Sequence, residues 1–266
     1  MYKTFKLKSS ILICAGVLLI AGSLLGSLFM GLAATEKDPY PSLHVEGKGE
    51  FVDPSGKCAY LTFDDGPSAN TPILLDLLKE KGVKATFFVT EQNQTYFEPM
   101  LQRMVSEGHT IGLHSDSHNY SSIYQSADAF LTDLEQLNEK IIACTGVHPE
   151  IYRFPGGSNN KALLGSMGDE IRKTMEQRGY VYYDWNCVSN DSLGQVLSPE
   201  VLYRNMLQSA KGKNPVFILC HDFADCTTTP DSVEMIIDEL QRQGYTFYPL
   251  SRQVQPYQFI PVQGKS

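Results

Sequence analysis

Asp64 and Asp65 stand side by side at the end of a short apolar run, Cys58-Ala59-Tyr60-Leu61-Thr62-Phe63, directly before Gly66-Pro67. Adjacent carboxylates repel each other and are costly to desolvate together, so a cation is the usual means of making such a pair tolerable. Further along, a second apolar run ends in His114-Ser115-Asp116-Ser117-His118. If these residues form a helical turn, the i, i+4 spacing puts both rings on one side, within reach of one metal ion. One carboxylate and two imidazoles leave a coordination position open, as in a catalytic metal centre rather than a closed structural one. Asp-Asp-Gly alone reads as a turn, and His-x-x-x-His alone as a solvated helix face. Each gains meaning from the other, because each follows an apolar strand and supplies the ligand type the other lacks.

Three further segments end in residues able to do chemistry. Ile151-Tyr152-Arg153-Phe154-Pro155-Gly156-Gly157 places a guanidinium at a strand end, before a turn that frees backbone N–H groups. Tyr182-Tyr183-Asp184-Trp185-Asn186 sets a carboxylate beside the only Trp, and Val216-Phe217-Ile218-Leu219-Cys220-His221-Asp222 ends in an imidazole. The elements that must position these groups are strands alternating with helices. Apolar, aromatic and β-branched runs lie near 58–63, 84–90, 110–114, 151–154, 180–184, 215–220 and 246–250. Helical patterns lie near 71–79, 97–107, 126–143, 161–178, 198–210 and 231–243, with Pro72 at a helix start and Gly82 and Gly179 as C-caps. Seven strands with intervening helices predict a parallel β/α architecture. Every residue singled out falls at or just past the C-terminal end of a strand, the face on which β/α barrels build their sites.

On these five motifs, in this order, residues 57–251 resemble the polysaccharide deacetylases of the NodB-homology type, carbohydrate esterase family 4. The resemblance implies a distorted (β/α)7 TIM-like barrel. It also implies one divalent ion, zinc foremost with cobalt or nickel as alternatives, held by Asp65, His114 and His118. Such an ion lowers the pKa of water from about 15.7 to about 7 and polarises a carbonyl, so the chemistry expected is hydrolysis of an amide. Asp64, adjacent but free, is the candidate base, and His221 the acid for the leaving amine. The resemblance further implies that Arg153 orients Asp64, that Asp184 tunes His221, and that Trp185 and Leu219 wall the acetyl methyl. One departure stands out: Gly156 replaces an aromatic residue that many relatives carry, keeping the N–H that serves an oxyanion but losing the sugar contact. His44, His109 and His148 read as structural, and Asp116 as a support for a ligand or as solvated.

Charge is lopsided along the 266 residues. Lys3, Lys6 and Lys8 precede an uncharged stretch over 9–35, and all 30 acidic residues lie beyond it against 19 basic ones. A net charge of −8 for the whole chain argues against nucleic acid, which needs a basic surface. The uncharged stretch is long enough to span a bilayer, and the lysines before it predict a cytoplasmic N-terminus at 1–8 with the rest outside. The rival reading is a cleaved signal peptide ending near Gly31-Leu32-Ala33, which would make the protein secreted. Residues 36–56 then read as a juxtamembrane linker and 252–266 as a tail. Six cysteines form no disulfide scaffold; one bridge at most is expected, between Cys187 and Cys226.

Together these features predict a membrane-anchored, extracytoplasmic hydrolase removing acetyl groups from N-acetylglucosamine of peptidoglycan, with no protein partner inferred. Alternatives are deacetylation of chitooligosaccharide, poly-N-acetylglucosamine or acetylxylan, or a catalytically silent wall-binding module.

Overall fold

The computed structural model describes residues 37–47, 50–52 and 54–262. The chain divides into two compact units, Met1–Pro39 and Tyr40–Ser266, and all that follows concerns the second. The expected membrane segment at 9–35 lies outside the described residues. Among those described, no helix is long and apolar enough to cross a membrane.

Strand β1 (Lys57–Asp64) is buried from Cys58 to its end. A strand covered on both faces needs a continuous apolar run rather than an alternating one, and that is what the sequence supplies. Along the chain follow α1 (Thr71–Lys81), β2 (Thr86–Thr90), α2 (Gln94–Ser106), β3 (Thr110–Ser115), the short α3 (Tyr120–Ile123), α4 (Ala127–Thr145) and β4 (Ile151–Tyr152). Then come α5 (Ser166–Gln177), β5 (Val181–Tyr182), β6 (Cys187–Val188), α6 (Pro199–Ala210), β7 (Val216–His221), α7 (Thr229–Arg242) and β8 (Tyr245–Phe247). The strand order is β5-β4-β3-β2-β1-β7-β6, with β8 also on β1, and every pairing is parallel. Residues 183–186 run directly from one end of this sheet to the other. Tyr183 N donates to the Tyr152 carbonyl (3.1 Å), and Asn186 N to that of Phe217 (3.1 Å). The result is a parallel-sheet α/β half-barrel.

Register does part of the work of assembly. Asp64 at the end of β1 is aligned with Phe88 on β2 and with His221 on β7. Because β1 lies between them, groups at the ends of β2, β3 and β7 all open onto the same rim.

Three expectations need correcting. The helix expected over 161–178 begins only at Ser166, after a 3₁₀ turn at Lys161–Leu163. The Leu163 carbonyl packs so closely on Gly168 that a Cβ there would come within 1.9 Å of its oxygen. Residues 40–45, expected as linker, belong to the body: Leu43 is fully buried, Arg178 donates to the carbonyls of Tyr40 and Leu43, and Asn138 to that of Ser42. The tail is stitched on as well, through Asp184 N to the Tyr257 carbonyl (2.8 Å) and the Tyr182 hydroxyl to that of Ile260.

Candidate metal centre

Asp65 sits in the left-handed region at φ +72°, which only a tightly held turn imposes on a non-glycine residue. Its N–H donates to the Phe88 carbonyl (3.2 Å), and Thr90 Oγ1 donates to its carbonyl (3.1 Å). Beneath the turn lies Asp222, whose Oδ2 would be 2.3 Å from any Cβ at Gly66. Asp222 accepts from Thr71 Oγ1 (2.6 Å). Burial pushes its carboxyl up to about 8, against the pull of Thr71 and Ser68, so near neutral pH it is largely protonated and adds little negative charge.

His114 lies on β3, and His118 follows it in a left-handed conformation at φ +51°. The helical turn expected here is absent; a strand end and a turn bring the two rings together, with centroids 5.3 Å apart. Asp133 on α4 fixes that turn. Its carboxylate accepts from Ser115 Oγ (2.6 Å), Asp116 N (2.9 Å), Ser117 N (3.0 Å) and Ser117 Oγ (2.7 Å). Asp116, expected either to support a ligand or to be solvated, pairs with Lys140 (2.7 Å).

The donor set fits a cation. Asp65 Oδ1 is buried without a hydrogen-bond donor, although His114 Nε2 lies 3.3 Å and His118 Nε2 3.1 Å from it. His114 Nδ1 is 2.8 Å from the Arg153 carbonyl, which can only accept, so the ring proton sits on Nδ1 and the Nε2 lone pair faces Asp65. One carboxylate oxygen and two ring nitrogens, all within 4.8 Å of one another, can hold a positive ion between them. With no ion, burial would raise the Asp65 carboxyl, but protonated His114 and His118 rings would take the ion's place as hydrogen-bond donors and hold it well below the usual range.

Asp64 stands apart from that convergence, its Oδ2 3.9 Å from His114 Nε2. Its Oδ1 accepts from Arg153 Nη1 (2.8 Å). The guanidinium is fully buried and completes its bonds on Thr62 Oγ1 (2.7 Å) and the carbonyls of Tyr183 (2.8 Å) and Asp184 (3.3 Å). Such a fork holds the Asp64 carboxylate in one orientation. At the end of β7, in register with Asp64, His221 carries its Nδ1 2.8 Å from Asp191 Oδ1.

The model of one protein family, described as polysaccharide deacetylase, matches residues 51–182. A putative polysaccharide deacetylase of Bacillus subtilis is 31% identical over 77% of this chain and 70% of its own length. The chain belongs to the polysaccharide deacetylase family. A chitin deacetylase of Colletotrichum lindemuthianum is 30% identical over 70% of this chain and 74% of its own length. Among solved structures, the catalytic domain of a peptidoglycan N-acetylglucosamine deacetylase from Eubacterium rectale superposes with a TM-score of 0.75 at 38% identity. That likeness covers 82% of this chain and 99% of the other.

One expected pairing is wrong. Asp184 does not meet His221. It is buried among Ser158 N (2.8 Å), Ser158 Oγ (2.6 Å) and Phe259 N (2.7 Å), where it ties the 156–158 turn to the tail. By residue 184 the chain is still beside Arg153, whereas His221 ends β7 on the far side of β1. Its partner must come from the loop after β6, and that partner is Asp191. Asp191 also accepts from His221 N (2.8 Å) and Thr229 Oγ1 (2.9 Å). Burial would lower the His221 pKa, but the hydrogen bond and charge of Asp191 raise it above the ordinary imidazole value. Asp191→Asn should therefore let it fall. If His221 must be protonated to act, the alkaline limb of acetate release against pH moves to lower pH in that variant; an unchanged limb would dismiss the pairing.

The remaining expected site residues are placed as follows. Gly156 is exposed at φ +78°. Trp185 packs edge-on against Phe259 (5.1 Å) and lies 5.7 Å from the Arg153 guanidinium. Leu219 is buried on β7, two residues before His221 and so on the same side of the strand. The expected bridge between Cys187 and Cys226 is not formed. Both are free and buried, Cys187 Sγ facing the Met206 carbonyl (3.3 Å) and Cys226 Sγ that of Asp191 (3.6 Å).

Proposed function

We propose that this chain removes N-acetyl groups from N-acetylglucosamine units of cell-wall peptidoglycan, releasing acetate and a free amine. One observation carries the reading: Asp65, His114 and His118 converge on one point, beside the Arg153-held Asp64 and, at the end of the neighbouring strand, the Asp191-held His221. Asp65, His114 and His118 would hold a divalent ion there, zinc foremost with cobalt or nickel as alternatives, which would supply a Lewis acid for the carbonyl and for water. Asp64 takes the proton of the attacking water, with Arg153 keeping its carboxylate in place. His221, held protonated by Asp191, delivers a proton to the nitrogen as the C–N bond breaks. Leu219 and Trp185 wall the acetyl methyl. The strand ends that carry these groups belong to a distorted (β/α)7 barrel.

Peptidoglycan as substrate is supported by the likeness to the Eubacterium rectale domain and by the uncharged stretch at 9–35, which would tether the protein outside the membrane. The chitin deacetylase likeness favours chitooligosaccharide as the second reading. Acetate release from peptidoglycan, chitooligosaccharide and acetylxylan, measured side by side, separates them. Peptidoglycan should be turned over fastest; preference for either other polymer would reassign the substrate, and release from none would leave a wall-binding module.

A further inference from the structure

The exposed Gly156 turn has a neighbour from a different loop. At φ +78° position 156 disfavours any side chain, and a Cβ there would lie 2.7 Å from Asn160 Nδ2 and 3.0 Å from Tyr120 Oη. The Tyr120 hydroxyl therefore stands beside the backbone of Gly156. Tyr120 begins α3, two residues after the proposed ligand His118. Its ring packs edge-on against His118 (5.4 Å, 88°) and against Tyr124 (5.7 Å, 79°). Tyr124 is itself anchored, its hydroxyl donating to the Pro155 carbonyl (2.8 Å) next to Gly156. Braced on two sides, Tyr120 still leaves 42% of its surface exposed toward solvent. No described residue accepts a hydrogen bond from its hydroxyl. The Tyr120 O–H thus stands as a donor beside both the His118 ring and the Gly156 turn.

Resting on the deacetylase reading above, we propose that Tyr120 is a catalytic donor for the acetamido oxygen. As water adds to the carbonyl carbon, the C=O π pair moves onto oxygen. The neutral phenol then donates a hydrogen bond to that oxygen alongside the Gly156 N–H, keeping its own proton throughout. A donor poised for a charge that exists only after attack strengthens in the transition state, so its removal acts on turnover rather than on substrate binding. The hydroxyl reaches the site from the loop after His118, which leaves the turn at 156 free to be glycine.

Tyr120→Phe tests this directly, because it keeps the ring that braces His118 and deletes only the hydroxyl. Steady-state acetate release should show kcat down by about 10²-fold, with KM within about twofold and bound metal unchanged. Unchanged kcat would overturn the proposal, as would a raised KM at constant kcat, which would make Tyr120 a sugar contact, or lost metal, which would make it a brace for His118. Wild-type protein that releases no acetate from any of the three polymers would overturn the underlying reading as well. Active wild type with a fully active Tyr120→Phe would overturn this inference alone.

Discussion

Asp64→Asn should retain its metal and lose turnover by about 10²–10⁴-fold, whereas Asp65→Asn should lose the metal itself. The two residues are chemical twins in sequence, and geometry separates them. Asp65 Oδ1 lies 3.3 Å and 3.1 Å from the two imidazole nitrogens, while the nearest approach of Asp64 to His114 is 3.9 Å. Asn at 64 is isosteric and can still accept from Arg153, so the turn stays intact and only the proton acceptor disappears. Asn at 65 replaces the one anionic ligand with a neutral one, which weakens attraction for a divalent ion; excess metal should then restore part of the activity. Metal content after dialysis and initial rates of acetate release decide the matter. Loss of metal in Asp64→Asn, with metal and activity kept in Asp65→Asn, would reverse the assignment.

Arg153→Met should destabilise the fold by about 3–5 kcal/mol as well as abolish activity. The guanidinium is completely buried and satisfies Asp64, Thr62 Oγ1 and the carbonyls of Tyr183 and Asp184 at once. Methionine fills much of the volume but leaves the nearly buried Asp64 carboxylate without its counter-charge. Arg153→Lys keeps a charge yet cannot reach four acceptors from one ammonium, so it should recover only part of the stability. Denaturant unfolding of the three proteins gives the comparison. A cost below about 1 kcal/mol for the methionine variant would show that Asp64 does not depend on Arg153 in the folded protein.

What sequence made legible was whatever a local pattern could carry. Long buried strands announce themselves by apolar runs, so β1, β2, β3 and β7 fall where expected, and with them Asp64, Asp65, His114 and His221. The pair His114 and His118 is recognisable from spacing, but spacing does not fix its backbone, because a strand end followed by a left-handed residue brings the rings together as a helical turn would. Asp191 was missed for a physical reason. Strand β6 is two residues long, too short for any periodicity, and Asp184 beside Trp185 offered a more conspicuous carboxylate. Asp133 and Asp222 act through long-range hydrogen bonds from a helix and from beneath a turn, and no local signal marks either. The packing of 40–45 and of the tail likewise depends on contacts between residues far apart in sequence, in segments whose composition reads as linker.

The most direct measurement is acetate release from peptidoglycan by the full-length protein before chelation, after it, and after a divalent ion is returned, with bound metal counted at each stage. The expected result is a single ion per chain, activity lost on stripping, and activity regained with zinc, cobalt or nickel in step with the metal bound at Asp65, His114 and His118. Stripped protein that released acetate at the untreated rate would contradict a metal-based centre.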